Sequence, residues 1–254
     1  MGLHLLAGAA ILKAVFPRAS AARRRELVGW WSWKLLRIVG VRLAVEGVPP
    51  AEASSGVMIA ANHVSWLDIF AVSSVRPTRF IAKSEIRDWP LAGWVVERAG
   101  TIFIRRERRR DTARINDLVH AALAQGDRVG LFPEGTTTEG DALLKFHSSL
   151  FEPAVANGAH VHPCALRYEH SDGSLCRAVA YVGELSFMQS LGLVIRQKGV
   201  RARLAFAPPI ETAGRGRREV AAAAQDAIAT LLGFSAPAPG TAPTSPRDLQ
   251  AVPP

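Results

Sequence analysis

Several features that define other classes of protein are scarce in this 254-residue chain. Its only cysteines, Cys164 and Cys176, form no CxxC pair, which excludes a disulfide scaffold and favours a reducing compartment. It contains no GxSxG, HExxH or P-loop sequence, so no common hydrolase nucleophile, zinc site or phosphate loop is present. No apolar run reaches the roughly 20 residues that a membrane-spanning helix needs.

The chain is instead both basic and moderately apolar. Hydrophobic residues make up 48% of it, which is too many for a chain that is mainly disordered. Its 31 lysines and arginines outnumber 22 acidic residues, and the formal net charge is +9. This balance indicates one of two anionic partners, nucleic acid or a membrane surface.

The apolar character is concentrated near the N-terminus. Residues 3–16 (LHLLAGAAILKAVF) are too short to span a bilayer, and Pro17 ends them. A second helical stretch begins at Ala21 and combines arginines with tryptophans at positions 30, 31 and 33, as interfacial helices do. The pattern predicts a helical pair lying on or in one leaflet; an aromatic-rich pair of core helices is the alternative.

The rest of the chain alternates short apolar runs with helical periods, which predicts an α/β fold with a mostly parallel central sheet flanked by helices. We expect a membrane-associating segment at 1–46, a catalytic domain at 47–234 and a disordered Pro/Ala-rich tail at 235–254. The predicted strands are residues 57–61, 80–82, 101–104, 129–132, 161–166, 178–182 and 200–207, and the clearest predicted helices are 112–124 and 219–232.

Polar residues follow the first of these strands, at the edge where parallel sheets bind ligands. His63 and Asp68 are five residues apart, so they meet only if His63 lies in the loop and Asp68 in the first turn of the next helix, with Ser65 as its N-cap. The imidazole can then take a proton from an alcohol while the carboxylate orients it. An ordinary loop histidine near a helix start is the alternative.

Two other strands are followed by residues suited to anion binding. The strand at 129–132 runs into Pro-Glu-Gly and three threonines (FPEGTTT), a loop that exposes backbone N–H groups and hydroxyls. Arg105 and Arg106 follow the strand at 101–104, and arginine binds phosphate through a fork of N–H donors. A simple turn and a solvated charge cluster are the respective alternatives.

In this order and spacing, NHVSWLD (62–68), GTIFIRR (100–106) and FPEGTTT (132–138) resemble the successive motifs of the glycerolipid acyltransferase family, which includes bacterial 1-acyl-sn-glycerol-3-phosphate acyltransferases. The resemblance covers roughly residues 57–163, and it extends to an N-terminal helical pair similar to the family's membrane anchor. It implies acyl transfer from acyl-CoA or acyl carrier protein (acyl-ACP) to a lysophospholipid hydroxyl, without a metal or other cofactor.

The resemblance also implies roles for individual residues. His63 is then the general base and Asp68 its orienting partner, and no acyl-enzyme forms. Arg106 matches an arginine that contacts the acceptor phosphate. Glu134, Gly135 and Thr136 match a block assigned to acceptor binding.

Two positions depart from the family pattern. Thr137 stands where many members have an arginine, and Arg105 stands where many have an acidic residue. Relatives with a similar EGTT loop include lyso-ornithine lipid acyltransferases, so this lipid is the alternative acceptor to 1-acyl-sn-glycerol-3-phosphate. A basic nucleic-acid-binding protein is a distant alternative, because no nucleic-acid motif accompanies the charge. We expect location at the cytoplasmic face of the inner (plasma) membrane and a role in phospholipid biosynthesis.

Overall fold

The computed structural model describes residues 2–52, 54, 56–83, 101–104 and 109–234. The predicted disordered tail at 235–254 and the arginines at 105 and 106 lie outside the described residues.

The described residues form a seven-stranded sheet in the order β1-β7-β6-β2-β5-β3-β4. Every pair of neighbouring strands is parallel except β6 and β7. The predicted mostly parallel α/β sheet is therefore confirmed. The strands are β1 (Val41–Gly47), β2 (Val57–Ala61), β3 (Arg79–Lys83), β4 (Ile102–Ile104), β5 (Arg128–Leu131), β6 (Val161–Glu169) and β7 (Val200–Phe206).

Helices cover both faces of this sheet, because each strand at its centre is apolar on both sides and must be covered twice. The helices are α1 (Gly2–Ala14), α2 (Ala21–Ile38), α3 (Leu67–Val75), α4 (Arg109–Ala124), α5 (Glu152–Asn157), α6 (Phe187–Arg196) and α7 (Arg217–Leu232). Residues of α2, α3 and α6 pack into one buried cluster, and residues of α4, α5 and α7 pack into another. The molecule thus has two helical layers, one on each face.

The N-terminal helices form a hairpin whose turn contains Pro17. Ser20 caps α2 by accepting a hydrogen bond from the backbone N–H of Arg23. Away from this turn, the His4 ring stacks on Trp31, and a ring nitrogen of each residue is hydrogen-bonded to the backbone carbonyl of the other. Among the described helices, none is long and apolar enough to cross a membrane.

Local sequence patterns located most strands but not all of them. The predicted strand at 57–61 coincides with β2, whose five residues are all buried. The predicted strand at 178–182 is wrong: Arg177–Val179 form a 3-10 turn, and Val179 is buried in the core without joining the sheet. Strand β1 is not predicted from the sequence, because most of its residues are exposed and it contains no long continuous apolar run. The predicted domain boundary after residue 46 falls within this strand.

Candidate active site

The polar residues singled out above follow β2 and β5, which are adjacent, parallel strands at the centre of the sheet. Both strands therefore deliver their following loops to the same edge. The end of β2 is also tied to β6 by a buried pair of hydrogen bonds: the Asn62 side-chain Nδ2 donates to the Leu166 carbonyl, and the Leu166 N–H donates to Asn62 Oδ1. This fixes the backbone immediately before His63.

His63 and Asp68 meet as predicted, with His63 in the loop and Asp68 in the first turn of α3. The His63 Nδ1 lies 2.7 Å from Asp68 Oδ2. The same carboxylate oxygen accepts the backbone N–H groups of Val64 and Ser65, at 2.7 and 2.9 Å. Asp68 thus fixes the loop before the helix and orients the imidazole at the same time.

The predicted N-cap is wrong. Helix α3 begins at Leu67, its N-cap residue is Trp66, and no N-cap side chain bonds the helix. The Ser65 hydroxyl oxygen is buried and has no hydrogen-bond partner among the described residues. Asp68 does not replace this cap, because the N–H groups that its carboxylate accepts belong to Val64 and Ser65, in the loop before the helix.

Tyr168, on β6, is a residue of this site that the sequence did not reveal. Its hydroxyl donates to Asp68 Oδ1 at 2.7 Å, and its side chain is buried in the core. Burial and the nearby Asp68 charge raise the pKa of Tyr168 well above its usual value, so the hydroxyl stays a donor. A hundred residues separate the two partners, and no local pattern could have paired them.

The exposed side of the imidazole is available for chemistry. Since Asp68 is an acceptor, the proton of neutral His63 belongs on Nδ1, which leaves a lone pair on Nε2. The ring stacks on Phe132 with centroids 3.9 Å apart and planes 6° apart. The side chain is 20% exposed, whereas Asp68 is fully buried. The arrangement suits a base that a substrate can reach while its partner stays shielded from water.

Glu134 lies beneath the same histidine, with its side chain directed at backbone groups. Its Oε1 accepts the His63 N–H and its Oε2 accepts the Leu144 N–H, both at 2.8 Å. Burial raises the pKa of Glu134 to about 7, although these two hydrogen bonds act in the opposite direction. Glu134 therefore positions the backbone of His63; direct contact with an acceptor stays a prediction.

The rest of the FPEGTTT loop is also joined to the histidine loop. The Thr138 N–H donates to the His63 carbonyl at 2.8 Å, and the Thr137 hydroxyl donates to the Tyr181 carbonyl. Gly135 has φ +74°, and a Cβ there would lie 3.2 Å from the His147 ring. A larger residue is therefore disfavoured both by the backbone conformation and by the lack of space. Thr136 is exposed at the tip of this loop.

The structure therefore brings His63, Asp68, Glu134 and the loop holding Gly135 and Thr136 to one edge of the sheet. Arg106 lies outside the described residues, and its contact with an acceptor stays a prediction. A partly exposed histidine held by a fully buried carboxylate, at the carboxyl edge of a parallel sheet, suits a general base that acts on a bound substrate.

Comparison with known proteins identifies the family. Residues 42–167 match the Acyltransferase family. The chain is 34% identical to a lyso-ornithine lipid O-acyltransferase of Pseudomonas aeruginosa, over 93% of this chain and 90% of that relative. The chain belongs to the acyltransferase family, and it is a transferase of lipid biosynthesis.

A second sequence relative and a solved structure are also similar to this chain. It is 42% identical to a 1-acyl-sn-glycerol-3-phosphate acyltransferase of Neisseria meningitidis serogroup B, over 63% of this chain and 62% of that relative. Its fold is similar to the crystal structure of the 1-acyl-sn-glycerophosphate acyltransferase PlsC from Thermotoga maritima. That match has a TM-score of 0.63 and 18% identity, and covers 91% of this chain and 92% of the other. These relatives support acyl transfer to a lysophospholipid or related glycerolipid.

Proposed function

We propose that this enzyme transfers an acyl chain from a thioester to the free hydroxyl of a monoacyl lipid, with His63 as general base. The Nε2 of His63 removes the hydroxyl proton while that oxygen attacks the thioester carbonyl carbon. The C–S bond then breaks, and the departing thiolate receives the proton from the imidazolium. Asp68 compensates the positive charge that His63 carries between these two proton transfers.

The observation that carries this proposal is the 2.7 Å contact between His63 Nδ1 and a fully buried Asp68. It leaves Nε2 as the basic atom on the exposed side of the ring. No second residue is needed as a nucleophile. A rapid mix of enzyme with radiolabelled acyl thioester, without acceptor, therefore yields no label bound to protein. Stoichiometric labelling that chases into lipid when acceptor is added would contradict the mechanism.

Two acceptors have support. Identity over the shared region favours 1-acyl-sn-glycerol-3-phosphate, which the reaction converts to phosphatidic acid. Similarity along nearly the whole chain favours the lyso-ornithine lipid. Thr137 also favours this second acceptor, because a neutral hydroxyl bonded to the Tyr181 carbonyl stands where many phosphate-specific members have a cation. The lyso-ornithine lipid therefore ranks first.

A matrix of donors and acceptors tests this ranking. Purified enzyme is offered acyl-CoA or acyl-ACP with each lysolipid, and kcat/KM is measured for all four combinations. We expect a higher value with the lyso-ornithine lipid. A Thr137→Arg variant shifts the ratio towards the phosphate acceptor, while Thr137→Ser, which keeps the hydroxyl, leaves the ratio unchanged. Equal ratios of kcat/KM for the two acceptors in wild type and Thr137→Arg would show that residue 137 does not determine acceptor choice.

We also propose that the α1–α2 hairpin associates with the cytoplasmic face of the inner membrane, where its lipid substrates lie. The hairpin exposes Trp30, Trp33 and Leu3, which is 85% exposed, beside several cations. In this proposal Arg106 and Thr136 contact the acceptor head group. Co-sedimentation with anionic vesicles tests the association, and a Trp30→Asp/Trp33→Asp variant should lose most of it.

A further inference from the structure

The two helical layers of the molecule differ sharply in what they expose. Of twelve exposed large apolar side chains among the described residues, eight lie in the α1–α2 hairpin or on α6, and one, Leu118, lies on the opposite layer. Those eight are Leu3, Leu6, Val15, Trp30, Trp33, Ile38, Met188 and Ile195. The excess is not confined to the N-terminal hairpin, because α6 contributes the second most exposed of them, Met188 at 70%.

Charge follows the same division. Helices α1, α2 and α6 together contain seven lysines and arginines and a single acidic residue, Glu26, and α3 in the same layer adds the buried Asp68. Helices α4, α5 and α7 contain five arginines and five acidic residues. The first layer is therefore apolar and cationic, which is the combination that an anionic bilayer surface attracts. The second layer is nearly neutral and has the surface of an ordinary soluble face.

Helix α6 has a clean amphipathic arrangement. Ser190, Leu191 and Val194 are buried against the core. Met188, Gly192 and Ile195 are separated from one another by four and three residues, so they share the outer face of the helix. Leu185, Met188, Gln189, Gly192, Leu193 and Arg196 line an open groove of about 390 Å³ along this face.

The position of α6 relates this face to both the hairpin and the active site. A Cβ on Gly40, just after α2, would lie 3.8 Å from the carbonyl oxygen of Gln197, just after α6, so the two helices end side by side. On its inner side α6 supports the catalytic loop: the Trp66 indole N–H donates to the Ser190 hydroxyl at 3.1 Å. The helix thus lies between the outer apolar face and the segment that holds His63.

We propose that α6 is a second membrane-contacting element, whose outer face lies on an anionic leaflet beside the α1–α2 hairpin. The proposal rests on the membrane association proposed above. Met188 and Ile195 enter the acyl boundary, while Arg196 and the exposed Lys198 reach the lipid phosphates. Three-point contact through α1, α2 and α6 orients the enzyme, so that the edge carrying His63 faces the leaflet from which the acceptor comes.

A charge placed on this face tests the proposal. In the Met188→Asp/Gly192→Asp variant two carboxylates replace apolar surface, and Gly192 has open space for a side chain, since a Cβ there meets no atom within 4 Å. Leu118→Asp is the matched control, since Leu118 is 43% exposed on the opposite layer. Thermal unfolding confirms that each variant is folded. Binding is measured by co-sedimentation with phosphatidylcholine vesicles containing phosphatidylglycerol.

We expect the double variant to bind at least about tenfold more weakly than wild type and Leu118→Asp to bind like wild type. Wild-type binding by the double variant, together with loss in Trp30→Asp/Trp33→Asp, would overturn the role of α6 and leave the hairpin as the anchor. Failure of the wild type to bind vesicles would overturn both proposals. A change from dimer to monomer in the double variant, without a change in vesicle binding, would reassign the face to a second copy of the chain.

Discussion

Two carboxyl groups are buried beneath the same histidine, and they hold different parts of it. Asp68 accepts four hydrogen bonds, from the His63 ring, two backbone N–H groups and the Tyr168 hydroxyl. Glu134 accepts two, both from backbone N–H groups, one of them that of His63. Asp68 contacts the part of His63 that changes charge, while Glu134 contacts only the part that sets its position.

This difference separates chemistry from architecture within one site. Asp68 bonds the ring that takes up the proton, so its carboxylate lies against the positive charge that develops on His63. A carboxyl with two donors, deeply buried and near the Asp68 charge, has its pKa raised to about 7. Changes at Asp68 should therefore act on turnover, and changes at Glu134 should act first on stability.

The largest effect is expected from Asp68→Asn. The amide keeps the size of the side chain but removes the charge and allows the wrong tautomer of His63, so kcat should fall by about 10²–10⁴-fold. KM for the acceptor should change little, because Asp68 is fully buried. Steady-state kinetics measures both values, and a variant whose loss lies in KM alone would place Asp68 in substrate binding.

Glu134→Ala is expected to destabilise the fold. It leaves the N–H groups of His63 and Leu144 without their acceptor, at a cost of about 1–3 kcal/mol each. The melting temperature should fall by several degrees or more. Glu139→Ala is the matched control, because Glu139 is half-exposed and its one ion pair among the described residues is with exposed Arg177, so its loss should cost under about 1 kcal/mol.

The raised pKa of Glu134 predicts a pH effect on stability. Between its ordinary pKa of 4.5 and about 7, the unfolded chain has lost this proton while the folded chain retains it. Stability should therefore decrease as pH rises through this window, by up to about 3 kcal/mol, and stay constant in this respect above it. Denaturant unfolding at several pH values measures the slope, and Glu134→Gln should remove this contribution. An unchanged slope in Glu134→Gln would assign the effect to other groups.

Tyr168→Phe should have the smallest effect of the four. It removes the donor to Asp68 Oδ1 while keeping the buried ring, so we expect a loss of about 1–3 kcal/mol in stability and about tenfold in kcat. Tyr181→Phe is the control, since the other tyrosine of the chain meets the loops through its backbone. Equal kcat for Tyr168→Phe and wild type would limit Tyr168 to packing.

The histidine loop could be predicted from sequence because its geometry is local. His63 and Asp68 are separated by five residues, and only a loop followed by a helix start brings them together. The strand before them was also predictable, since the five residues of β2 form a continuous apolar run between turn signals. Local sequence rules are sufficient where the two partners are only a few residues apart in the chain.

The other contacts of the site depend on the packing of distant segments. Tyr168 reaches Asp68 across 100 residues, and Glu134 reaches His63 across 71. The second pairing changes how Glu134 is interpreted, because both of its oxygens are occupied by backbone groups. The prediction of a strand at 178–182 is wrong for a related reason. An apolar run indicates that a segment is buried, but it does not indicate that the segment joins the sheet.

The whole mechanism depends on His63 as the base for acyl transfer. The most direct measurement is single-turnover acyl transfer by purified His63→Ala, with saturating thioester and lysolipid, beside a thermal-unfolding check that the variant is folded. We expect the rate to fall by about 10²–10⁴-fold while lysolipid binding persists. Acyl transfer at the wild-type rate by folded His63→Ala would contradict it.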